Sequence, residues 1–191
     1  MKVVGINGSP RKGGNTERLI RKVFEPLEKA GIETELIQVG GKTIRGCIAC
    51  GKCGEMQNKT CIITNDDVND IVAKMDQADG IVLGSPTYFA DVTAELKAVI
   101  DRVGYVSLRN GNLLKHKVGA AVTAVRRGGA IHTFDTMNHF FQISQMFIVG
   151  STYWNMVYGR NPGEVERDEE GMANMTDLGE SMGFLLNKLK A

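Results

Sequence analysis

The chain has 191 residues, of which 42% are hydrophobic and 24% are charged, and its formal net charge is +1. This composition is typical of a globular protein, and the balanced charge gives no indication of a nucleic-acid or membrane-surface partner. No apolar run approaches the roughly 20 residues that a membrane-spanning helix needs. From the length we expect a single domain over residues 1–191. Because no signal peptide precedes the first predicted strand, we expect a cytoplasmic location.

The first predicted strand, residues 2–7, leads through the glycine-rich turn Gly8–Gly14 into a helix predicted over residues 15–30. A strand, such a turn and a helix N-terminus form a phosphate cradle, because backbone N–H groups and the helix dipole favour an anion there. The turn matches neither the P-loop nor the dinucleotide-binding pattern. The candidate phosphate ligands are Ser9, Arg11, Asn15 and Thr16. The alternative is an ordinary turn that needs glycine only for steric reasons.

A second strand is predicted over residues 33–39 and a helix over residues 66–77. The irregular stretch between them contains a cysteine-rich insertion at about residues 44–65. All four cysteines of the chain lie in this insertion, at positions Cys47, Cys50, Cys53 and Cys61. Four thiols so close in sequence indicate a metal or redox site in a reducing compartment rather than a disulfide framework.

The spacing of the cysteines favours a [4Fe–4S] cluster. A Cys-x2-Cys-x2-Cys run wraps three thiolates around such a cluster, and a fourth cysteine from a nearby turn completes the ligand set. Zinc also binds four cysteines, but usually as two well-separated Cys-x2-Cys pairs. The third alternative is a set of free thiols, in which Cys50 and Cys53 could form a redox-active pair.

The remaining predicted strands cover residues 80–84, 117–125 and 146–149. The remaining predicted helices cover residues 92–104, 130–145 and 176–190. Regular alternation of strand and helix predicts an α/β fold, in which a doubly wound, five-stranded parallel sheet has helices on both faces. Such a sheet binds its ligand at the carboxyl ends of the strands, where the glycine-rich turn lies.

Two further loops follow strands at the same edge of the sheet. Residues of the loop after the third strand combine a rigid turn with polar and aromatic side chains that suit a flat ring. These candidates are Pro86, Thr87, Tyr88 and Phe89. The loop after the fourth strand contributes Arg126, Gly128 and Gly129. The alternatives are that the two aromatic residues pack at an interface and that the arginine is a solvated surface charge.

The quoted motifs resemble those of a known family. Gly-Ser-Pro-Arg-x-Gly-Gly-Asn-Thr after the first strand resembles the flavodoxin-like FMN reductases, and the compact cysteine run is similar to that of the iron–sulfur flavoproteins among them. The resemblance implies a flavodoxin-like strand order of 2-1-3-4-5. It also implies that the glycine-rich turn holds the phosphate of FMN, that the Pro-x-Tyr-type turn lies along the isoalloxazine ring, and that the cysteines ligate a [4Fe–4S] cluster.

From this resemblance we expect an FMN-dependent oxidoreductase that couples FMN to the cluster, with NAD(P)H or a redox partner protein as electron donor. The family also implies a homodimer or homotetramer, in which the cluster of one subunit lies near the FMN of another. The main alternative is a cluster-free NAD(P)H-dependent FMN or quinone reductase on the same fold. The sequence is also compatible with an electron carrier that has no substrate of its own, and with a phosphate-binding module that binds no flavin.

Overall fold

A computed structural model describes residues 1–190 of the chain. Its strands are β1 (Lys2–Asn7), β2 (Glu33–Gln38), β3 (Gly80–Pro86), β4 (Val118–Val125), β5 (Phe147–Ile148) and β6 (Met156–Tyr158). All of them pair in parallel, in the order β2-β1-β3-β4-β5, and β6 also pairs with β4. The predicted α/β fold and its flavodoxin-like strand order are therefore confirmed.

The sheet has one strand more than the sequence predicts, because its fifth position is divided in two. Phe147 of β5 pairs with Val118 at the start of β4, whereas Tyr158 of β6 pairs with Val125 at its end. Residues 149–155 leave the sheet between these two short strands. Strand β6 returns the chain to the carboxyl edge of the sheet, beside the loops that follow β1 and β3.

The helices are α1 (Asn15–Lys29), α2 (Lys52–Met56), α3 (Val68–Gln77), α4 (Ala94–Arg109), α5 (Ala130–Ile143) and α6 (Glu169–Lys190). Neighbouring strand residues alternate between two apolar cores: Val3 and Val82 pack with α1 and α6, whereas Val4 and Ile81 pack with α3, α4 and α5. This alternation follows from the two-residue period of a strand. Within residues 1–190, no helix combines the length and the apolar character needed to cross a membrane.

The terminal helix begins earlier than expected, at Glu169 instead of residue 176. Asp168 explains the difference, because it caps the helix: its Oδ1 accepts the Gly171 N–H at 3.0 Å, and its backbone carbonyl accepts the Met172 N–H at 2.9 Å. An aspartate in this position is a common helix start. The helix start is not evident in the sequence, because the preceding residues carry mixed charges. Residues Glu164–Arg167 form a short 3₁₀ helix there.

Candidate functional site

A cavity of about 260 Å³ opens at the carboxyl edge of the sheet. It brings together eight of the residues that the sequence marks as ligand-binding candidates: Ser9, Arg11, Asn15, Thr16, Pro86, Thr87, Tyr88 and Arg126. These residues come from three separate loops, so the parallel sheet has gathered them as the strand order predicts. The other three candidates, Phe89, Gly128 and Gly129, are not among the residues that line this cavity.

The glycine-rich turn is held in place by polar side chains, of which Asn7 and Thr93 are buried and Gln38 is half-buried. Asn7 Oδ1 accepts the N–H of Ser9 at 3.0 Å, and Gln38 Nε2 donates to the carbonyl oxygens of Ser9 and Gly40 at 2.6 and 2.7 Å. On the other side, Thr93 Oγ1 donates to the carbonyl oxygen of Gly8 at 2.8 Å. The turn is thus rigid before any ligand arrives, which reduces the ordering cost of binding.

The cavity supplies hydrogen-bond donors that lack an acceptor. Thr16 Oγ1 is buried and has no hydrogen-bond partner within residues 1–190. It lies in the first turn of α1, where backbone N–H groups have no acceptor within the helix. Three arginines, Arg11, Arg126 and Arg160, also line the cavity. A phosphate group fits this donor set, because it offers several acceptor oxygens and a negative charge.

One wall of the cavity comes from residues that none of the sequence motifs includes. Gly159, Arg160 and Pro162 follow β6 and line the cavity together with Ala124. Arg11 Nη1 donates to the carbonyl oxygen of Arg160 at 3.1 Å, so this wall is tied to the glycine-rich turn. The composition Gly-Arg-Asn-Pro-Gly is a turn signal that follows a strand, and it could have marked this loop.

Glu164 stabilises the same wall. Its carboxylate accepts the backbone N–H groups of Arg160 and Asn161 at 2.8 and 2.9 Å. Hydrogen bonds from the Asn161 backbone, the Asn161 side chain and the Arg160 backbone lower the pKa of Glu164 to about 2. In addition, Asn15 Oδ1 accepts the Gly163 N–H at 2.8 Å, which joins the wall to the start of α1.

The loop after β3 forms a tight two-residue turn. Tyr88 and Asp91 exchange backbone hydrogen bonds of 2.8 and 3.0 Å, and the two residues between them have φ values of 47° at Phe89 and 65° at Ala90. Left-handed backbone at two residues other than glycine is strained, and such strain is concentrated at functional sites. Phe89 lies fully exposed at the tip of the turn, outside the cavity.

The loop after β4 lies beside this turn. Arg126 faces the cavity, whereas Gly129 adopts a φ of +85° immediately before α5. A Cβ atom added to Gly129 would lie 3.7 Å from Thr87 and 3.8 Å from Ala90, so the two loops are in contact. Gly128 has open space around it. Of the three residues that the sequence predicts in this loop, only Arg126 lines the cavity.

A second cavity, of about 240 Å³, is lined by all four cysteines. Cys47 and Cys50 are exposed, whereas Cys53 and Cys61 are half-buried, and all four are free thiols. Arg102, Tyr105 and Arg109 of α4 form the opposite side. Within residues 1–190, no three His, Cys, Asp or Glu side chains lie close enough together to hold one metal ion. The four cysteines line one cavity, but their thiols do not converge on one point.

Asparagine side chains anchor the cysteine segment to the fold. Asn69 of α3 accepts the Cys61 N–H at 2.7 Å and donates to the Cys61 carbonyl oxygen at 3.0 Å. Asn110, at the end of α4, donates to the carbonyl oxygen of Cys53 at 3.2 Å. Within the segment, the Ala49 N–H donates to Cys47 Sγ at 3.4 Å. The segment is thus positioned by side chains of α3 and α4.

The fold defines a flavodoxin-like α/β protein, and its first cavity lies at the carboxyl edge of the sheet and is lined by hydrogen-bond donors. The model of the NADPH-dependent FMN reductase family matches residues 1–160. An iron–sulfur flavoprotein of Methanocaldococcus jannaschii is 41% identical, with 100% of each chain covered. One of Methanosarcina thermophila is 36% identical, with 100% of this chain and 97% of the relative covered.

Among solved structures, RosB with a bound riboflavin-phosphate derivative superposes with a TM-score of 0.76 at 18% identity, covering 100% of this chain and 80% of that one. This likeness supports the fold. The chain belongs to the NADPH-dependent FMN reductase family, and within it to the iron–sulfur flavoprotein type. It is an FMN-dependent oxidoreductase, which confirms the resemblance seen in the sequence motifs.

Proposed function

We propose that the first cavity is the FMN site of this oxidoreductase, and that residues 1–191 form one FMN-binding domain. The phosphate would be held by the start of α1 and by the polar side chains Ser9, Arg11, Asn15 and Thr16. The unpartnered hydroxyl of Thr16 supports this assignment, because a phosphate oxygen would supply its missing acceptor. Bound FMN would supply the exchange between electron-pair and single-electron transfer.

The isoalloxazine ring would lie along the loops that follow β3 and β4. Pro86, Thr87 and Tyr88 line the cavity on that side, and Thr133 Oγ1 donates to Thr87 Oγ1 at 3.3 Å, which orients the loop. Phe89 stands next to this surface at the tip of the strained turn. Arg126, with the backbone at Gly128 and Gly129, would face the polar edge of the ring, where a cation stabilises negative charge.

The second cavity would hold a [4Fe–4S] cluster ligated by Cys47, Cys50, Cys53 and Cys61. The observation that carries this proposal is that all four cysteines line one cavity of about 240 Å³. A four-iron cluster takes one thiolate at each iron, so its ligands surround a cage and do not meet at a single ion. Four cysteines that line one cavity without converging on one point are consistent with such a cage. A reducing compartment would keep the four cysteines from oxidising before the cluster is assembled.

Electrons would enter from NAD(P)H or from a redox partner protein, and pass between FMN and the cluster. The description of the family as NADPH-dependent supports a nicotinamide donor. The chain would act as a homodimer or homotetramer, because exposed apolar side chains border the cysteine cavity and the adjacent face of α4. These side chains are Ile48, Met56, Ile62, Tyr105 and Leu108. A second copy would cover them and bring its FMN towards the cluster.

The second candidate function is a cluster-free NAD(P)H-dependent FMN or quinone reductase. The family description favours it, because it names a nicotinamide donor and FMN without a cluster. In that case the cysteines would be free thiols, and the cysteine cavity would have no part in electron transfer.

Metal analysis and spectroscopy of one anaerobic preparation separate the two functions. After reconstitution with iron and sulfide, we expect about four irons and one FMN per chain, with a broad absorption that is lost in air. A preparation that binds FMN and oxidises NADPH but takes up no iron would establish the cluster-free reductase. Failure to bind FMN at saturation would overturn the assignment of the first cavity.

A further inference from the structure

Arg102 of α4 is a charged side chain with none of its surface exposed. It forms an ion pair with Asp66, whose carboxylate is also almost completely buried. A buried arginine is costly unless its donors are well satisfied, and an apolar side chain of similar size would usually be at least as stable. The presence of a charged pair here therefore calls for a role beyond packing, and the flavin cavity does not use it.

The hydrogen bonds of Arg102 join the two ends of the cysteine segment. Its Nη1 donates to the carbonyl oxygen of Arg45 at 3.1 Å, and its Nη2 donates to that of Ile63 at 3.0 Å. Arg45 precedes the first cysteine by two residues, and Ile63 follows the last cysteine by two residues. Asp66 reinforces the closure, because its Oδ2 accepts the Arg45 N–H at 3.3 Å. One guanidinium thus closes the loop that carries all four thiols.

One nitrogen of this guanidinium has no acceptor. Nε of Arg102 is buried and unpartnered within residues 1–190, and the side chain lines the cysteine cavity. A guanidinium stays protonated in proteins, so Arg102 places a positive charge at the cysteine cavity. A buried N–H without an acceptor costs free energy, and a sulfur inside the cavity would satisfy it.

We propose that Arg102 is the positioning residue of the cysteine cavity: it closes the cysteine segment around the cluster and donates Nε–H to a sulfur there. This inference rests on the cluster part of the proposed function. Hydrogen bonds to cluster sulfurs and nearby positive charge stabilise the more negative reduced form, so they raise the reduction potential. Arg102 would therefore control both how firmly iron is held and the potential at which the cluster accepts an electron.

Lysine would not replace this arginine, although it has the same charge. An ammonium group lacks the planar fork that reaches two carbonyl oxygens and a carboxylate at once, and it has no counterpart of Nε. Arg109 provides the matched control. It lies in the rim of the same cavity and its side chain is exposed, so Arg109→Met removes a positive charge there without breaking the hydrogen bonds with which Arg102 closes the segment.

The test compares wild type, Arg102→Lys, the charge-neutral pair Arg102→Met with Asp66→Asn, and Arg109→Met, each as full-length FMN-loaded protein reconstituted anaerobically. We expect both Arg102 variants to lose iron to a chelator at least about tenfold more readily than wild type. Their cluster potential should shift in the negative direction, while FMN content and FMN potential stay at the wild-type values. Arg109→Met should retain iron as wild type does.

Each other outcome decides the question. If the Arg102 variants hold iron and keep the cluster potential of wild type, Arg102 is only a structural residue and the inference is wrong. If Arg102→Lys loses FMN together with iron, the arginine supports the whole fold and the inference is also wrong. If wild type itself takes up no iron while binding FMN, the proposed cluster fails first, and the inference fails with it.

Discussion

The two cavities of this protein are built in different ways. The first is formed where β1, β3, β4 and β6 end, and its lining residues come from loops that the parallel sheet brings together. The second is formed by an irregular segment between β2 and α3, and side chains hold that segment against the fold. The first cavity thus depends on the topology of the sheet, whereas the second depends on a few specific anchors.

The difference has a consequence for mutation. Since the cavities share no lining residue, damage to one should leave the other intact. Substitutions that move the backbone should lower FMN binding at the first cavity most. Substitutions of single ligands or anchoring side chains should lower iron retention at the second cavity. Four substitutions, in order of decreasing expected effect, examine this contrast.

Gly40→Ala should have the largest effect. A Cβ atom at Gly40 would lie 2.3 Å from the carbonyl oxygen of Gly8 and 2.3 Å from the carbonyl carbon of Ser9, and backbone has no room to yield there. We expect the unfolding free energy to fall by about 3 kcal/mol and FMN affinity to fall by about tenfold or more. Chemical denaturation and FMN fluorescence titration measure the two effects.

Gly46→Ala is the control for this change, because a Cβ atom at Gly46 would meet nothing within 4 Å. It should bind FMN as wild type does. Wild-type FMN affinity in the Gly40→Ala protein would show that the glycine-rich turn does not form the binding site.

Cys61→Ser should remove the second site alone. Loss of one of four thiolates should weaken iron retention by about ten- to hundredfold, whereas FMN affinity should stay within about twofold of wild type. Iron analysis after anaerobic reconstitution gives the first value and fluorescence titration the second. Ile62→Ser introduces the same residue at the neighbouring, exposed position and should keep its iron. Equal iron in both variants would contradict the ligand assignment.

Thr16→Val should separate ligand affinity from stability. The Thr16 hydroxyl is buried without a partner within residues 1–190, so its removal should leave the apoprotein at least as stable as before. FMN affinity should nevertheless fall about fivefold, which corresponds to about 1 kcal/mol, because the phosphate loses a donor. Thermal unfolding of the apoprotein and FMN titration are the measurements.

Thr123 offers a matched control, because its hydroxyl is also buried and unpartnered in the described part of the chain but lies outside the first cavity. Thr123→Val should therefore leave FMN affinity unchanged. If Thr16→Val and Thr123→Val bind FMN equally well, the Thr16 hydroxyl does not contact the phosphate.

Glu164→Gln should have the smallest effect, because this carboxylate is exposed. We expect FMN affinity at pH 7 to fall about twofold, since the wall at residues 159–163 loses charge-assisted hydrogen bonds. The pKa of Glu164 is lowered from 4.5 to about 2. The stabilisation of the wall by the ionised carboxylate is therefore complete above pH 4.5 and is lost as the pH falls through about 2.

The difference in FMN affinity between wild type and Glu164→Gln should therefore be constant from pH 7 to about pH 4.5. The two affinities should approach each other in more acidic solution. FMN titrations at a series of pH values measure this. Glu166→Gln is the control, because the Glu166 carboxylate pairs with Arg18, and only the backbone N–H of Glu166, which the substitution keeps, bonds the wall at Gly163. A difference that already disappears near pH 5 would show that Glu164 titrates normally.

The sequence by itself determined the parallel α/β sheet, the glycine-rich turn between β1 and α1, and the four cysteines that line the second cavity. These features depend on local signals: apolar runs that alternate with helical patterns, glycines between a strand and a helix, and cysteines two residues apart. Each signal lies within a short stretch of chain, where the two-residue period of strands and the repeat of helices act directly.

Only the tertiary structure decided which distant residues complete the two cavities. Gly163 meets Asn15 across 148 positions, and Arg102 reaches Arg45 across 57 positions. The periodic patterns of strands and helices in the sequence do not predict such contacts, because the contacts arise when the sheet and its helices pack together. The buried arginine therefore looks, in sequence, like any charged residue of an amphipathic helix. Packing alone turns it towards the cysteines, for the physical reason that a buried cation must find its acceptors within the fold.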